Sequence, residues 1–380
     1  MIGKQLSCGR LFTIYRAVLL LGAFLLLHSF GSQIEGFVSH PHVFNPEEPS
    51  VRGNETFQKT FKLEKEYVLE KKAGTVNQLV VDKKGYFWIR DWDEGKIEKY
   101  DQNGKLVSAI GSAGRGPGRF LLLTGFAVDE ERAQVFAIDL QQYRVNLFAE
   151  DGRFLDSWIV ARPGYMPQAI VLDSKRGFYY LGGSLPLKKF VSEGALHVHK
   201  YKIGTNQYLG SFLETDRNVH EKNLFNYLVV SSLDIDSLGH VYCTLAPVYK
   251  VFKIDTQRRV IHSFVGRHRF YKAPPLYQSG LKPQDLQKLR KTWTQTDRVV
   301  IVGRFAILSL EVHEPFPYGL EVFDLNGNVL RTDLLTNGRL VGKDHGGGLY
   351  FALSQNGRYV IAKYRLILEK TGQPLRRGTS

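Results

Sequence analysis

A phrase recurring with a period of 40-odd residues, a glycine turn after each early copy and short apolar strands between the turns predict an all-β fold. The expected architecture is a six-bladed β-propeller of four-stranded antiparallel blades. The phrase runs from Asp91 to Asp101 and returns in outline from Asp139 to Phe148. In both, an Asp is followed five residues later by Lys96 or Arg144, then by Ile97 or Val145, then three further on by Tyr100 or Phe148. Gly104 and Gly152 open the turns that follow. A lone four-stranded sheet cannot bury both faces. Six of them packed around an axis can, and closing the ring protects the sheet edges.

The N-terminus stands apart from this pattern. Lys4, Arg10 and Arg16 precede an uncharged run from Ala17 to Leu27, and Ser29 and Gly31 suit a cut before Ser32. Residues 1–31 therefore read as a signal peptide, with a membrane anchor over residues 11–30 as the competing reading if the segment stays uncleaved. In both cases the basic flank keeps the start of the chain inside, so the rest lies outside the cytoplasm, periplasmic, secreted or anchored. Cys8 precedes the apolar run and cannot be a lipoprotein acylation site, and Cys243 is the other of only two cysteines, so no disulfide inside the propeller is expected. Residues 32–60, with His40-Pro41-His42, Pro46 to Pro49 and the sequon Asn54-Glu55-Thr56, read as a stalk.

The propeller itself is expected over residues 61–372, with a basic tail over 373–380. A spare strand, Tyr67 to Glu70, precedes the first repeat and is expected to pair with the last blade (Tyr364 to Glu369), closing the ring. The front half of the repeat is an apolar run, an Asp, a turn with Gly and an apolar-aromatic strand. It occurs at Leu79 to Trp88, Ala169 to Tyr180 and Leu233 to Tyr242, and more loosely at Phe126 to Ile138 and Phe351 to Val360. The back halves give six copies, ending near Gly104, Gly152, Asn206, Gln257, Gly327 and Gly372. Asp82, Asp129, Asp173 and Asp236 occupy equivalent turns, so turn capping accounts for them.

The stretch Ile110 to Phe120, with Gly116-Pro117-Gly118-Arg119-Phe120, looks like the linker between blades of NHL-type propellers. With the Asp-x-x-Gly turns and the Lys/Arg-Ile/Val-x-x-aromatic phrases, residues 62–372 resemble the bacterial six-bladed NHL/TolB-like propellers carried behind an export segment. The resemblance speaks to fold and is nearly silent on activity. Blade 5 departs from the pattern at Ile301-Val302-Gly303-Arg304, which lacks the Asp turn, and blades 3 and 5 carry insertions. Leu213 to Asn226 and Tyr271 to Thr296 lengthen inter-blade loops. In the second, Leu286, Leu289 and Trp293 are spaced for one face of a short helix.

The net charge is +14. Residues 1–40 hold three basic and one acidic side chain, so the remainder carries +12. Such a surface favours an anionic glycan, lipid or acidic protein, and no nucleic-acid motif accompanies it. Arg115, Arg162, Arg267, Arg269, Lys343 and His345 are expected in inter-blade loops on one face and form the candidate binding set. Gly342 to Gly348 is the sharpest single element, since glycines let backbone approach a ligand and His345 offers acid-base chemistry. His197 and His199 alternate on a strand, but their place in the repeat makes them structural. The architecture also hosts gluconolactonase-type metal hydrolases, streptogramin lyases and peptide-amidating lyases. The lactonases hold a divalent metal with Glu, Asn and Asp of the innermost strands. The segments starting at Val76, Leu123, Pro167 and Ser231 carry no such carboxylates, though Asn77 and Gln168 supply oxygens. The sequence thus favours a binding or interaction module without a cofactor. A metal-dependent lactonase or lyase with its site at the central channel is the alternative.

Overall fold

In a computed structural model the described residues are 50–368, except 71–75, 92–93, 161–164, 185–195, 222–229, 277–284, 286–287, 290 and 356–357. They form six four-stranded antiparallel sheets in a ring. Blade 1 spans 79–110, blade 2 spans 123–159, blade 3 spans 166–214, blade 4 spans 230–265 and blade 5 spans 295–336. Blade 6 combines three strands over 339–366 with the early strand Phe61–Leu69 as its outermost member. Each blade runs as a meander from the axis outward. Loops between blades and turns between second and third strands therefore share one face, here the inter-blade face. The turns after first and third strands lie on the opposite face.

The closing strand pairs with Arg358–Leu366, with Tyr67 opposite Ile361 and Leu69 opposite Tyr359. Ring closure by the first described strand agrees with the sequence reading, but the strand begins at Phe61 and its partner begins six residues before Tyr364. Residues 50–60, expected in the stalk, belong to the folded body. From Ser50 the chain lies against the gap between blades 5 and 6, and a short helix, Glu55–Thr60, leads into the closing strand. The Asn54 side chain caps that helix, accepting the Phe57 N–H at 3.0 Å, and donates to Asp333 O at 2.8 Å. This amide is built into the body, which argues against Asn54 as a glycan acceptor. Val51, Phe57 and Phe61 are buried against Phe351 and Tyr364, and this apolar anchor is why the segment is not a free stalk.

The recurring Asp turn has a specific geometry. Asp82 Oδ1 accepts the Tyr86 N–H at 2.9 Å while Oδ2 accepts Trp88 Nε1 at 2.9 Å. Asp236 repeats this with the His240 N–H at 2.9 Å and the Tyr242 hydroxyl at 3.0 Å. Asp344 repeats it again with the Gly348 N–H at 2.8 Å and the Tyr350 hydroxyl at 2.9 Å. Gly342 to Gly348 is therefore the sixth blade's own copy of the turn, joining its first strand (Arg339–Lys343) to its second (Gly348–Gln355). The sequence reading had placed the second strand first, slipping the phase of blade 6 by one strand.

The core is the stack of blade faces. Its largest cluster runs from Phe136 in blade 2 through Tyr179 and Tyr201, stacked at 5.0 Å, to Cys243 and Phe252 in blade 4. Trp293 and Val219 from the two insertions are buried in the same cluster, which anchors both loops to the body. Of the expected helix before Trp293, Leu286 lies outside the described residues, whereas Leu289 is helical and packs against the same cluster as Trp293. His197 and His199 are buried, with His197 Nε2 2.9 Å from Thr215 Oγ1 and His199 Nδ1 2.7 Å from Ser211 Oγ.

Candidate functional site

Inner-strand side chains tie neighbouring blades together. Thr124 donates to Pro167 O at 3.1 Å, Gln168 Oε1 accepts the Val230 N–H at 2.9 Å, and Thr296 donates to Leu245 O at 2.8 Å. At the inter-blade end of the axis this belt gives way to guanidinium groups. The inner strand of blade 1 is only Leu79–Val81, so Arg90 of the second strand meets the irregular lead-in. Its Nε and Nη2 donate to Asn77 Oδ1 at 3.0 and 2.5 Å. Arg298, on the inner strand of blade 5, reaches over blade 6 and donates to Asn77 O at 2.5 Å. Arg339, the first residue of the inner strand of blade 6, grips the neighbouring Asp297 through Nε at 3.2 Å and Nη2 at 2.5 Å. It also lies 3.2 Å from Glu311 Oε1.

Three guanidinium groups and two carboxylates thus meet where blades 5, 6 and 1 converge. Burial, with the nearby charges of Arg298 and Arg339 adding to it, pushes the Arg90 pKa down to about 9. Burial also lowers Arg298, with Arg339 adding to the effect against the opposing pull of Asp297. Arg339 moves the other way: burial opposes its charge, but Asp297, Tyr318 and Glu311 more than compensate. All three remain charged at neutral pH, but at Arg90 and Arg298 the surroundings disfavour the charge, whereas at Arg339 the neighbouring carboxylates favour it. Arg298 Nε is moreover buried without a hydrogen-bond partner. Repulsion at Arg90 and Arg298 that Asp297 and Glu311, committed to Arg339, do not fully relieve is the electrostatic condition for taking up an anion.

The opposite end of the axis is neutralised. Lys343 Nζ donates to Asp234 Oδ2 at 2.6 Å and to Ile301 O at 2.7 Å, linking blade 6 to blades 4 and 5. His345 Nε2 sits 2.5 Å from Glu130 Oε1 at the same end. Lys343 and His345 thus belong to the face opposite the inter-blade loops, contrary to the sequence expectation, because Gly342 to Gly348 is a turn inside blade 6 and not a loop between blades.

Of the remaining candidates, Arg115 is exposed in the loop between blades 1 and 2, and Arg267 and Arg269 are exposed in the loop between blades 4 and 5. Those loops lie across the ring from each other, so the residues share a face without forming one site. Arg269 pairs with Asp333, its Nε 3.8 Å from Oδ2, and Arg162 lies outside the described residues. Tyr165, just before the inner strand of blade 3, is fully buried, its hydroxyl donating to Leu181 O at 3.1 Å and His197 O at 3.0 Å.

The repeated phrase also explains itself on this face. Asp139 accepts the N–H groups of Leu121 at 3.0 Å and Leu122 at 3.2 Å, and Arg144 donates to Gly116 O and Arg119 O, both at 3.0 Å. The Asp and the basic residue shape the loop between blades.

A divalent metal finds poor ligands at the axis. Asn77 Oδ1 faces Arg90, Gln168 Oε1 is turned to a backbone donor, and the carboxylate Asp297 is gripped by Arg339. Among the described residues no group of three His, Cys, Asp or Glu side chains is placed to share an ion.

The sequence reading missed Arg90, Arg298 and Arg339. The available signal was local: Arg90 ends the apolar run Phe87-Trp88-Ile89, and Arg298 precedes Val299-Val300-Ile301. A charge beside residues that must be buried calls for a structural or functional partner.

Comparison with known proteins adds the fold. A family model described as a 6-bladed beta-propeller matches residues 70–157, and no curated protein matches the chain. A Bacteroides fragilis protein presumed to be exported has a similar structure, at 12% identity over 81% of this chain and 96% of that one, with a TM-score of 0.56. A Bacteroides vulgatus member of the DUF4221 family aligns at 10% identity over 82% and 99%, with a TM-score of 0.54. A catalytically inactive virginiamycin B lyase from Staphylococcus aureus, solved with quinupristin, aligns at 11% identity over 81% and 100%, with a TM-score of 0.50. What this chain shares with them is the six-bladed β-propeller.

Proposed function

We propose that this chain is an extracytoplasmic ligand-binding propeller whose ligand is an anion seated among Arg90, Arg298 and Arg339 at the inter-blade end of the axis. The observation that carries the reading is the convergence of three guanidinium groups from blades 1, 5 and 6 on Asn77 and Asp297, with one buried Nε unsatisfied. Guanidinium forks match carboxylate and phosphate oxygens in geometry as well as charge. Extracytoplasmic placement is supported by the basic and apolar N-terminal segment. Among the described residues no helix is long and apolar enough to cross a membrane. The linker Ile110 to Phe120 and the Asp turns support the NHL/TolB-like type.

Thermal unfolding of the full chain in phosphate, sulfate, acetate and chloride tests the seat. A bound anion stabilises the native state in proportion to the logarithm of its concentration above Kd. A rise in melting temperature that grows with the logarithm of one oxyanion's concentration, lost in Arg298→Gln, supports the reading. Equal response of both proteins to all four salts rejects it.

A further inference from the structure

Away from the axis, the outer strands of blade 4 and the loop that follows them line an open cleft of about 470 Å³. That is within the roughly 300–1,000 Å³ of small-ligand sites. One wall is Tyr249, which is fixed in place. Its hydroxyl donates to Glu321 Oε2 and accepts the His268 N–H at 2.8 Å. Glu321 is fully buried and also takes the Arg267 N–H at 2.7 Å and the Thr332 hydroxyl at 2.8 Å, so turning Tyr249 away would cost a buried carboxylate one of its donors. Gly266 makes this arrangement possible, because a Cβ there would overlap both Glu321 Oε2 and the Tyr249 ring. Tyr271 stacks on Tyr249 with ring centroids 4.2 Å apart and planes 23° from parallel. Val248 and Pro274 add apolar lining.

Two polar groups of the lining remain uncommitted. The Arg267 guanidinium and the Tyr271 hydroxyl have no protein partner among the described residues, whereas Lys250 on the same lining is held by Asp216 at 2.8 Å. A rigid aromatic wall beside a single unpaired guanidinium selects a ligand with two parts. We propose that this cleft binds a six-membered ring bearing a carboxylate, the ring against the Tyr249–Tyr271 wall and the carboxylate on Arg267. A sugar acid and an aromatic acid both have this form. The site is separate from the axial arginines and does not depend on their occupancy.

The test is calorimetric titration of the full chain with D-glucuronate, phenylacetate, D-glucose and acetate. One or both ringed acids should bind, with glucose and acetate about tenfold weaker or worse, since each lacks one of the two parts. The tighter of the two acids identifies the source. Arg267→Gln and Tyr271→Ala should each weaken that acid about tenfold, Tyr271→Phe should retain most of the binding, and Arg298→Gln should leave it unchanged. Arg267 is exposed, so Arg267→Gln keeps the test valid even if Tyr271→Ala disturbs the fold. The proposal is overturned if neither ringed acid binds, if acetate binds as tightly as they do, or if Arg298→Gln removes binding while Arg267→Gln does not. The last result would place the ligand at the axis.

Discussion

The clearest structural consequence of the docked N-terminal segment is the effect of Phe57→Ala. Phe57 is 1% exposed, and its ring lies 5.0 Å from that of Phe61, 5.4 Å from Tyr364 and 5.6 Å from Phe351. A buried aromatic side chain removes roughly 150–250 Å² from water. At about 25 cal/mol per Å² that is about 4–6 kcal/mol, of which alanine retains its methyl share. Phe→Ala changes in cores cost about 3–5 kcal/mol, in agreement. Urea denaturation of the full chain, followed by far-UV circular dichroism, should therefore show a loss of about 3–5 kcal/mol. A double-mutant cycle with Phe351→Ala should show coupling of about 0.5–1.5 kcal/mol from the edge contact between the rings. A loss under about 1 kcal/mol with no coupling would mean that residues 50–60 are the free stalk the sequence suggested.

Three further outcomes follow from particular residues. Gly104 has φ +80° and an added Cβ would overlap the Val68 carbonyl of the closing strand. Gly204 has φ +87° and open space around it. Gly104→Ala should thus destabilise clearly more than Gly204→Ala, which carries only about 1–2 kcal/mol of backbone strain; equal losses in urea melts would deny the packing of blade 1 against the closing strand. Cys243 is buried, and burial pushes its thiol well above the usual range. A thiol reagent should label it only at the rate of unfolding, and rapid labelling of the native protein at this residue would refute its burial. The turn aspartates give an acid limb. Burial pushes Asp236 and Asp344 up, but His240 in one case, and Lys363, the Gly348 N–H and Tyr350 in the other, outweigh it, so both carboxyls titrate below 3.8. Their folded pKa lies below the unfolded value, so their stabilisation is complete above that value and is lost as pH falls through the folded one. Urea midpoints should be insensitive to these groups above about pH 5 and fall below about pH 4, less so in Asp344→Asn. A midpoint unchanged down to pH 3 would contradict this.

The fold was legible because its repeat is made of groups with local jobs. Asp82, Asp236 and Asp344 each satisfy backbone and aromatic donors within six residues, so the turn leaves a mark at fixed spacing. The phase of blade 6 was lost because its inner strand, Arg339–Lys343, is short and its turn is diluted by glycines, while Gly348–Gln355 looks like a first strand. The segment before Phe61 reads as a linker because three prolines and several charges suggest one, whereas Val51, Phe57 and Phe61 are anchors that only blades 5 and 6 reveal. The axial site was illegible for a different reason. Arg90 comes from a second strand and Arg298 and Arg339 from first strands, more than 200 residues apart along the chain at the widest, so no spacing links them. Counting exposed loop charges points to Arg115 and Arg269, where solvent and Asp333 already offset the charge, and away from buried Arg90 and Arg298, where it is offset only in part.

The most direct measurement is calorimetric titration of inorganic phosphate into the full chain, its Arg298→Gln variant and an Arg115→Gln control. Arg298 supplies a buried, charge-assisted donor, and hydrogen bonds to charged groups contribute about 1.5–3 kcal/mol, so its loss should weaken binding about tenfold or more. Arg115 is exposed and across the ring from the other loop cations, so Arg115→Gln should leave the affinity unchanged, as should raising the salt modestly, since a buried pair is little screened. Saturable binding with that pattern is the expected result. Binding that weakens equally in both variants, or that no arginine at the axis affects, contradicts an anion seat there and leaves only a diffuse basic surface.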